Sequence, residues 1–129
     1  MISYVDDIEQ KTLANSFFRE VLFTGKYAQL VVMSLQPNEE IGMEVHETVD
    51  QFFRVEKGQG KVIMNGEKHE IKDGIAIIVP AGTQHNVVNT SVNEPLRLYT
   101  IYSPPNHPPG TIHKTKAEAM AGEAEEPHV

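Results

Sequence analysis

The chain has 129 residues, 40% hydrophobic and 22% charged, which is the length and composition of one soluble globular domain able to bury a core. It has no cysteine, which excludes disulfides, thiolate metal ligands and a cysteine nucleophile together. A net charge of -7 argues against nucleic acid and anionic membrane surfaces as partners, since both demand clustered Lys and Arg. No run reaches the length of a membrane span, and MISYVDDIEQ lacks a basic region followed by an apolar one, so a cytoplasmic protein is the expectation.

In chain order, Asp6 to Leu13 reads as a short helix capped by Asp6 or Asp7. From Phe17 onward the pattern is one of strands. Arg19 to Phe23 is closed by Thr24-Gly25-Lys26, and Tyr27 to Leu35 carries Val31, Met33 and Leu35 on one face. Gln36-Pro37-Asn38-Glu39 is a turn, Ile41 to His46 a short strand, and Glu47 to Asp50 another polar turn. Gln51 to Glu56 places Gln51, Phe53 and Val55 on one face and Phe52, Arg54 and Glu56 on the other. Lys57-Gly58-Gln59-Gly60 breaks that strand, and Lys61 to Met64 begins the next. Asn65-Gly66 is the strongest hairpin signal in the chain, because both residues tolerate the positive φ of a type I′ turn; its partner strand is Glu67 to Ile71.

Gly74 to Asn89 holds the most informative stretch. Ile75 to Val79 has no polar side and reads as a strand buried on both faces. Pro80 and Gly82 end it, and His85 opens a returning strand with Val87 and Asn89 on its own face. By itself His85 is either a hydrogen-bonded core histidine or a ligand. Leu96 to Tyr102 is a last strand. Roughly nine short strands with frequent turns and almost no helix indicate an antiparallel sandwich or barrel. Beyond Ser103, PPNHPPG reads as a rigid extended linker. Thr115 and Glu118 have the spacing of a capping box, so Lys116 to Ala121 is expected to be helical, with Gly122 to Val129 fraying. The chain thus divides into an arm with the first strand (1–26), a barrel (27–103) and a Pro-rich tail with a short helix (104–129).

Four residues are candidates for metal chemistry: Glu44, His46, Gln51 and His85. Glu44 and His46 are two apart on one strand, hence on one face and about 6–7 Å apart along it. Gln51 opens the next strand on the inward face. If these line the barrel that holds His85, two imidazoles, a carboxylate and an amide oxygen converge, a set that suits Fe, Mn, Ni, Co, Cu or Zn. The alternative is that Glu44 and His46 form a charge pair beside a turn that Gln51 caps.

Gly74-x5-Pro80-x-Gly82-x2-His85-x3-Asn89 resembles the second motif of the cupin superfamily at all five defining positions. The first cupin motif carries two histidines one residue apart, a Glu four residues later and a Gly after six more. Here Glu44 and His46 stand at the histidine positions, Gln51 at the Glu and Gly58 at the Gly, while Asn38 stands where the family has its opening Gly. The resemblance spans about Tyr27 to Tyr102 and is similar to small single-domain bacterial cupins with a Glu-x-His-x4-Gln first motif. It implies a double-stranded β-helix or jelly-roll barrel, a divalent metal at its mouth and a tendency to homodimerise. Glu44 for His and Gln51 for Glu leave the ligand charge at minus one, so a divalent ion is still held, with a redox potential unlike that of a three-histidine site.

The expected barrel lining is Phe53, Val55, Val62, Met64, Ile77, Val79, Val87 and Leu98. Asp50 is either a surface turn residue or a replacement for Gln51 as ligand. Arg54 points away from the cavity toward an interface or salt bridge. His107 and His113 either fold over the barrel mouth or, the favoured expectation, lie on the surface of the tail; His69 is expected exposed in its hairpin and His128 in the fraying end. Two functions follow. One is a metal-dependent enzyme (isomerase, dioxygenase or lyase) acting on a small polar metabolite, with no catalytic residue assigned. The other is a non-catalytic module that binds or senses a small molecule, its metal structural or absent.

Overall fold

A computed structural model describes residues 3–125. The elements are α1 (Ile8–Ala14), β1 (Arg19–Thr24), β2 (Gln29–Leu35), β3 (Asp50–Lys57), β4 (Gln59–Met64), β5 (Glu67–Lys72), β6 (Ala76–Val79), β7 (His85–Asn89), β8 (Leu96–Ser103), β9 (Ile112–His113) and α2 (Lys116–Glu125). Two antiparallel sheets face each other: six strands in the order β6-β3-β8-β2-β1-β9, and three in the order β5-β4-β7. Each strand contributes every second side chain to the space between them. That gives the antiparallel barrel expected from the strand pattern and the jelly roll that the cupin resemblance implies.

Register shows how the interior is laid out. Three rows of inward side chains cross the large sheet. Val79, Gln51, Tyr102 and Gln29 form one, and Ile77, Phe53, Thr100, Val31 and Val21 the next. Val55, Leu98, Met33, Arg19 and His113 form the third. All of these side chains are buried. The facing sheet adds Val62, Ile71, His85, Val87 and Asn89, with Met64 partly buried. The expected lining is therefore present, but the first row ends in Gln29, the third in Arg19 and His113, and Thr100 interrupts the second.

The hairpin prediction holds: Asn65 (φ 48°) and Gly66 (φ 82°) turn β4 into β5. Gly60 is needed for packing, since a Cβ there would lie 2.2 Å from the Val88 carbonyl oxygen. Asn89 works as a clamp: its amide donates to the carbonyls of Leu35, Gln36 and Glu94, and its oxygen accepts from the Ser91 N–H. Asp7 caps α1 by accepting from Gln10 N.

Several expectations need correction. The segment 41–46 is not a regular strand; it meets β7 through the isolated bridge Glu44–His85 and the Ile41 N–H, which donates to the Val87 carbonyl, next to a second bridge, Glu40–Val88. Gly42, at φ 113°, breaks the extended path, and its N–H is taken by the Asn86 side chain. The run Ile75–Val79 is not buried on both faces. Strand β6 ends its sheet, so Ile77 and Val79 are buried while Ile78 is 68% exposed. The tail is not an extended linker. Gln29, fully buried, donates to the His107 carbonyl and accepts from the N–H groups of Asn106 and His107, which docks the tail against β2.

His107 and His113, expected on the surface, are both only 8% exposed. The tail then adds β9 beside β1. Thr115 accepts from the Glu118 N–H as a cap, but Glu118 reaches back to Lys114 N, and the helix runs through Glu125 rather than fraying at Gly122. His128 lies outside the described residues.

Candidate metal centre

His85 opens β7 just past the Pro80-Ala81-Gly82 turn, where Gly82 (φ 85°) gives its N–H to the His46 carbonyl. That bond ties the second motif to the first. The backbones of Glu44 and His85 exchange both hydrogen bonds, at 2.8 and 2.9 Å, which brings the Glu44–His46 segment to the same mouth of the barrel. The His46 and His85 ring centroids are 5.4 Å apart. Gln51 enters from β3, 3% exposed, one inward step from Phe53, whose ring lies 6.4 Å from that of His85. Glu44, His46 and His85 therefore lie together, and Gln51 faces the interior from the neighbouring strand.

Asp50 does not join them. It is exposed, and its carboxylate accepts from Ala81 N, which secures the turn; Gln51 is the residue that faces inward. Arg54 pairs with Glu56 at 2.8 Å on the outer face. His69 is exposed beside Glu67.

The donor atoms are arranged as follows. His85 Nδ1 lies 2.9 Å from the Thr83 carbonyl, which can only accept, so the ring proton sits on Nδ1 and Nε2 keeps its lone pair. His46 Nε2 is buried and lies 3.0 Å from Glu44 Oε2, so the two form a close pair. Gln51 donates its amide N–H to Thr100 Oγ1 at 3.0 Å, which turns Oε1 away, and that oxygen is buried without a partner. Burial pushes the Glu44 carboxyl upward; the His46 contact and the charges of His46, Arg19 and His85 outweigh it and hold the group below the usual carboxylate range.

Among the described residues, no group of three or more His, Cys, Asp or Glu side chains is arranged to hold a metal ion as it stands. The donors are instead one close pair, a neighbouring imidazole and an amide oxygen. They fit a divalent ion on two counts. Gln51 Oε1 is buried with no hydrogen-bond partner, which is uncommon in a folded interior, and the buried His46 Nε2 has the Glu44 carboxylate beside it. The set of two nitrogens, one carboxylate and one amide oxygen suits a borderline transition metal.

Several residues beside the site were not foreseen. The Tyr102 ring stands edge-on to His46 at 5.9 Å and to His107 at 5.2 Å, with His107 Nε2 3.3 Å from its hydroxyl. Arg19 is 1% exposed, with Nη1 3.2 Å from His113 Nδ1. Tyr102 shares parity with Leu98 and Thr100, and Arg19 with Val21, so period-two alternation does place both inward.

Comparison with known proteins agrees with the motifs. A family model for the cupin domain matches residues 31–102. The uncharacterized protein YrkC of Bacillus subtilis (strain 168) is 51% identical over 126 residues, covering 93% of this chain and 67% of that protein. The crystal structure of BH2720 from Bacillus halodurans superposes with a TM-score of 0.89 at 50% identity, covering 92% of this chain and 93% of the other. A predicted oxalate decarboxylase from Thermotoga maritima superposes with a TM-score of 0.58 at 25% identity, covering 62% and 69%. By its two motifs, its barrel and these matches, the chain belongs to the cupin family.

Proposed function

We propose that the protein binds a divalent transition metal (Fe, Mn, Ni, Co, Cu or Zn) through Glu44, His46, Gln51 and His85, and uses it to act on a small polar metabolite. What supports this reading is Gln51 Oε1, buried without a hydrogen-bond partner on the inward face, together with the Glu44–His46 pair and the neighbouring His85 ring. Burying such an atom unsatisfied costs about 1–3 kcal/mol, which a bound cation removes. When bound, such a cation supplies Lewis acidity to a substrate oxygen. Glu44 is the carboxylate at hand to hold or move a proton. The chemistry belongs to an isomerase, lyase or dioxygenase.

The second reading, a non-catalytic binding or sensing module, is favoured by the same fold without the metal, since cupin barrels enclose a small cavity whatever their chemistry. A thermal-shift screen separates the two. Stabilisation by a small molecule that disappears in His46→Ala/His85→Ala supports the metal-dependent enzyme; stabilisation that survives both changes supports the binding module.

The same reading includes a homodimer and a cytoplasmic setting; among the described residues no helix is long and apolar enough to cross a membrane. Strand β6 ends its sheet, and Ile78, Phe52 and Ile101 form an apolar row on the outer face next to it. A second copy of the chain is the natural cover for such an edge. Gel filtration at micromolar concentration is expected to give a dimer, and a monomer would remove this part.

A further inference from the structure

One inward row of the large sheet joins the candidate metal centre to the Pro-rich tail. Tyr102 on β8 pairs with Gln51 on β3 and with Gln29 on β2, so on the inward face it lies between the two glutamines. All three are buried. Gln51 belongs to the donor set, and Gln29 holds the tail. The Gln29 amide donates to the His107 carbonyl at 2.7 Å, and its oxygen accepts from His107 N at 2.9 Å. His107 is thereby set edge-on against the Tyr102 ring at 5.2 Å, with Nε2 3.3 Å from the hydroxyl. Tyr102 in turn stands edge-on to His46 at 5.9 Å, a spacing at which aromatic rings attract.

The two candidate imidazoles are oriented differently. His85 is fixed by its Nδ1 contact with the Thr83 carbonyl. His46 has the Glu44 carboxylate at Nε2 and two ring neighbours, His85 at 5.4 Å and Tyr102. The orientation of a ligating histidine decides where its lone pair points, and losing the groups that set it costs roughly 10–100-fold in metal affinity. A phenylalanine at 102 would supply the ring wall alone. A buried tyrosine hydroxyl calls for a partner as well, and the tail brings one. Burial and nearby positive charge hold His107 neutral, so its Nε2 can meet the hydroxyl as donor or as acceptor. We propose that His107, acting through Tyr102, is a positioning residue for His46, which makes the Pro-rich tail a working part of the candidate metal centre. That role rests on the metal reading above.

Titration with cobalt(II) against a competing chelator, read together with the absorption of the bound ion, tests this on wild type, Tyr102→Phe, His107→Phe and the double variant. Each single change keeps a ring in place and removes one side of the hydroxyl contact, so each should weaken cobalt binding at least about tenfold. The two residues form one link, so the double variant should bind no more weakly than either single variant. His107→Gln offers the hydroxyl an amide and should recover part of the loss. If His107→Phe does not fold, His107→Gln should show a smaller loss that vanishes in the Tyr102→Phe background. Unchanged cobalt affinity and absorption in the His107 variant, or losses that add in the double variant, would overturn the role; a tail that only packs would give the first result. The ring-proton resonances of His46 in metal-free protein supply a readout without the ion, and they should move in both single variants. If wild type takes up no cobalt, the metal reading falls; moved His46 resonances then still uphold the positioning of His46, and unmoved ones overturn it as well.

Discussion

Acidification should weaken the fold through His107 before any carboxylate is involved. Burial pushes this imidazole from 6.5 down to about 3, and the positive charges of Arg19, His113 and His46 push the same way. Its other close neighbours are neutral: the Tyr102 ring and the Gln29 amide that holds its backbone. The folded value lies below the unfolded one, so His107 contributes stability that is fully present above pH 6.5 and is lost as pH falls toward 3. Within that window each pH unit costs up to about 1.4 kcal/mol, so going from pH 7 to pH 5 should cost about 2 kcal/mol. Glu44 has the opposite shift relative to its charge state. Its lowered carboxyl loses its contribution only as pH falls through and below the ordinary carboxylate range, so the comparison stops at pH 5. Urea unfolding at pH 7, 6 and 5 on metal-free wild type and His107→Gln is the assay, because glutamine keeps hydrogen-bonding groups and never charges. The wild type should lose about 2 kcal/mol more than the variant across the range. Equal losses, or a His107 ring that titrates near 6.5 by NMR, would refute the reasoning.

Other outcomes follow from single contacts. Gly60→Ala sets a Cβ against the Val88 carbonyl in a central strand and should cost about 2–3 kcal/mol in urea unfolding. Gln29→Leu strands the backbone groups of Asn106 and His107, so hydrogen exchange at those amides should speed up at least about tenfold while the barrel stays protected. Gln51→Glu adds an anionic donor, so metal affinity should rise at least about tenfold; in the metal-free protein the buried carboxylate should lower the melting temperature.

Much of the fold was legible in the sequence. The turn between β4 and β5 follows from the φ values that Asn65 and Gly66 tolerate, and inward facing of Phe53, Val55, Leu98 and Gln51 follows from period-two alternation. The Gly74–Asn89 motif located His85, and spacing placed Glu44 and His46 near it. What was not legible depends on long-range pairing. Ile78 looks like a core residue until β6 is known to end a sheet. The segment 41–46 looks like a strand until Gly42 takes its positive φ. His107 and His113 sit in a Pro-rich run with no periodicity, and only their partners on other strands, Gln29 and Arg19, bury them. A glutamine heading the apolar run QLVVMSL was a signal in plain view: a buried amide needs partners, and these prove to be in the tail.

The central claim is that Glu44, His46, Gln51 and His85 hold one metal ion. Elemental analysis of protein purified without a metal-affinity tag, after incubation with excess Fe, Mn, Ni, Co, Cu or Zn and removal of free ions, tests it most directly, wild type beside His85→Ala. The account predicts about one equivalent of a transition metal in the wild type and its loss in the variant. Less than about a tenth of an equivalent in the wild type, or an unchanged content in His85→Ala, would contradict it.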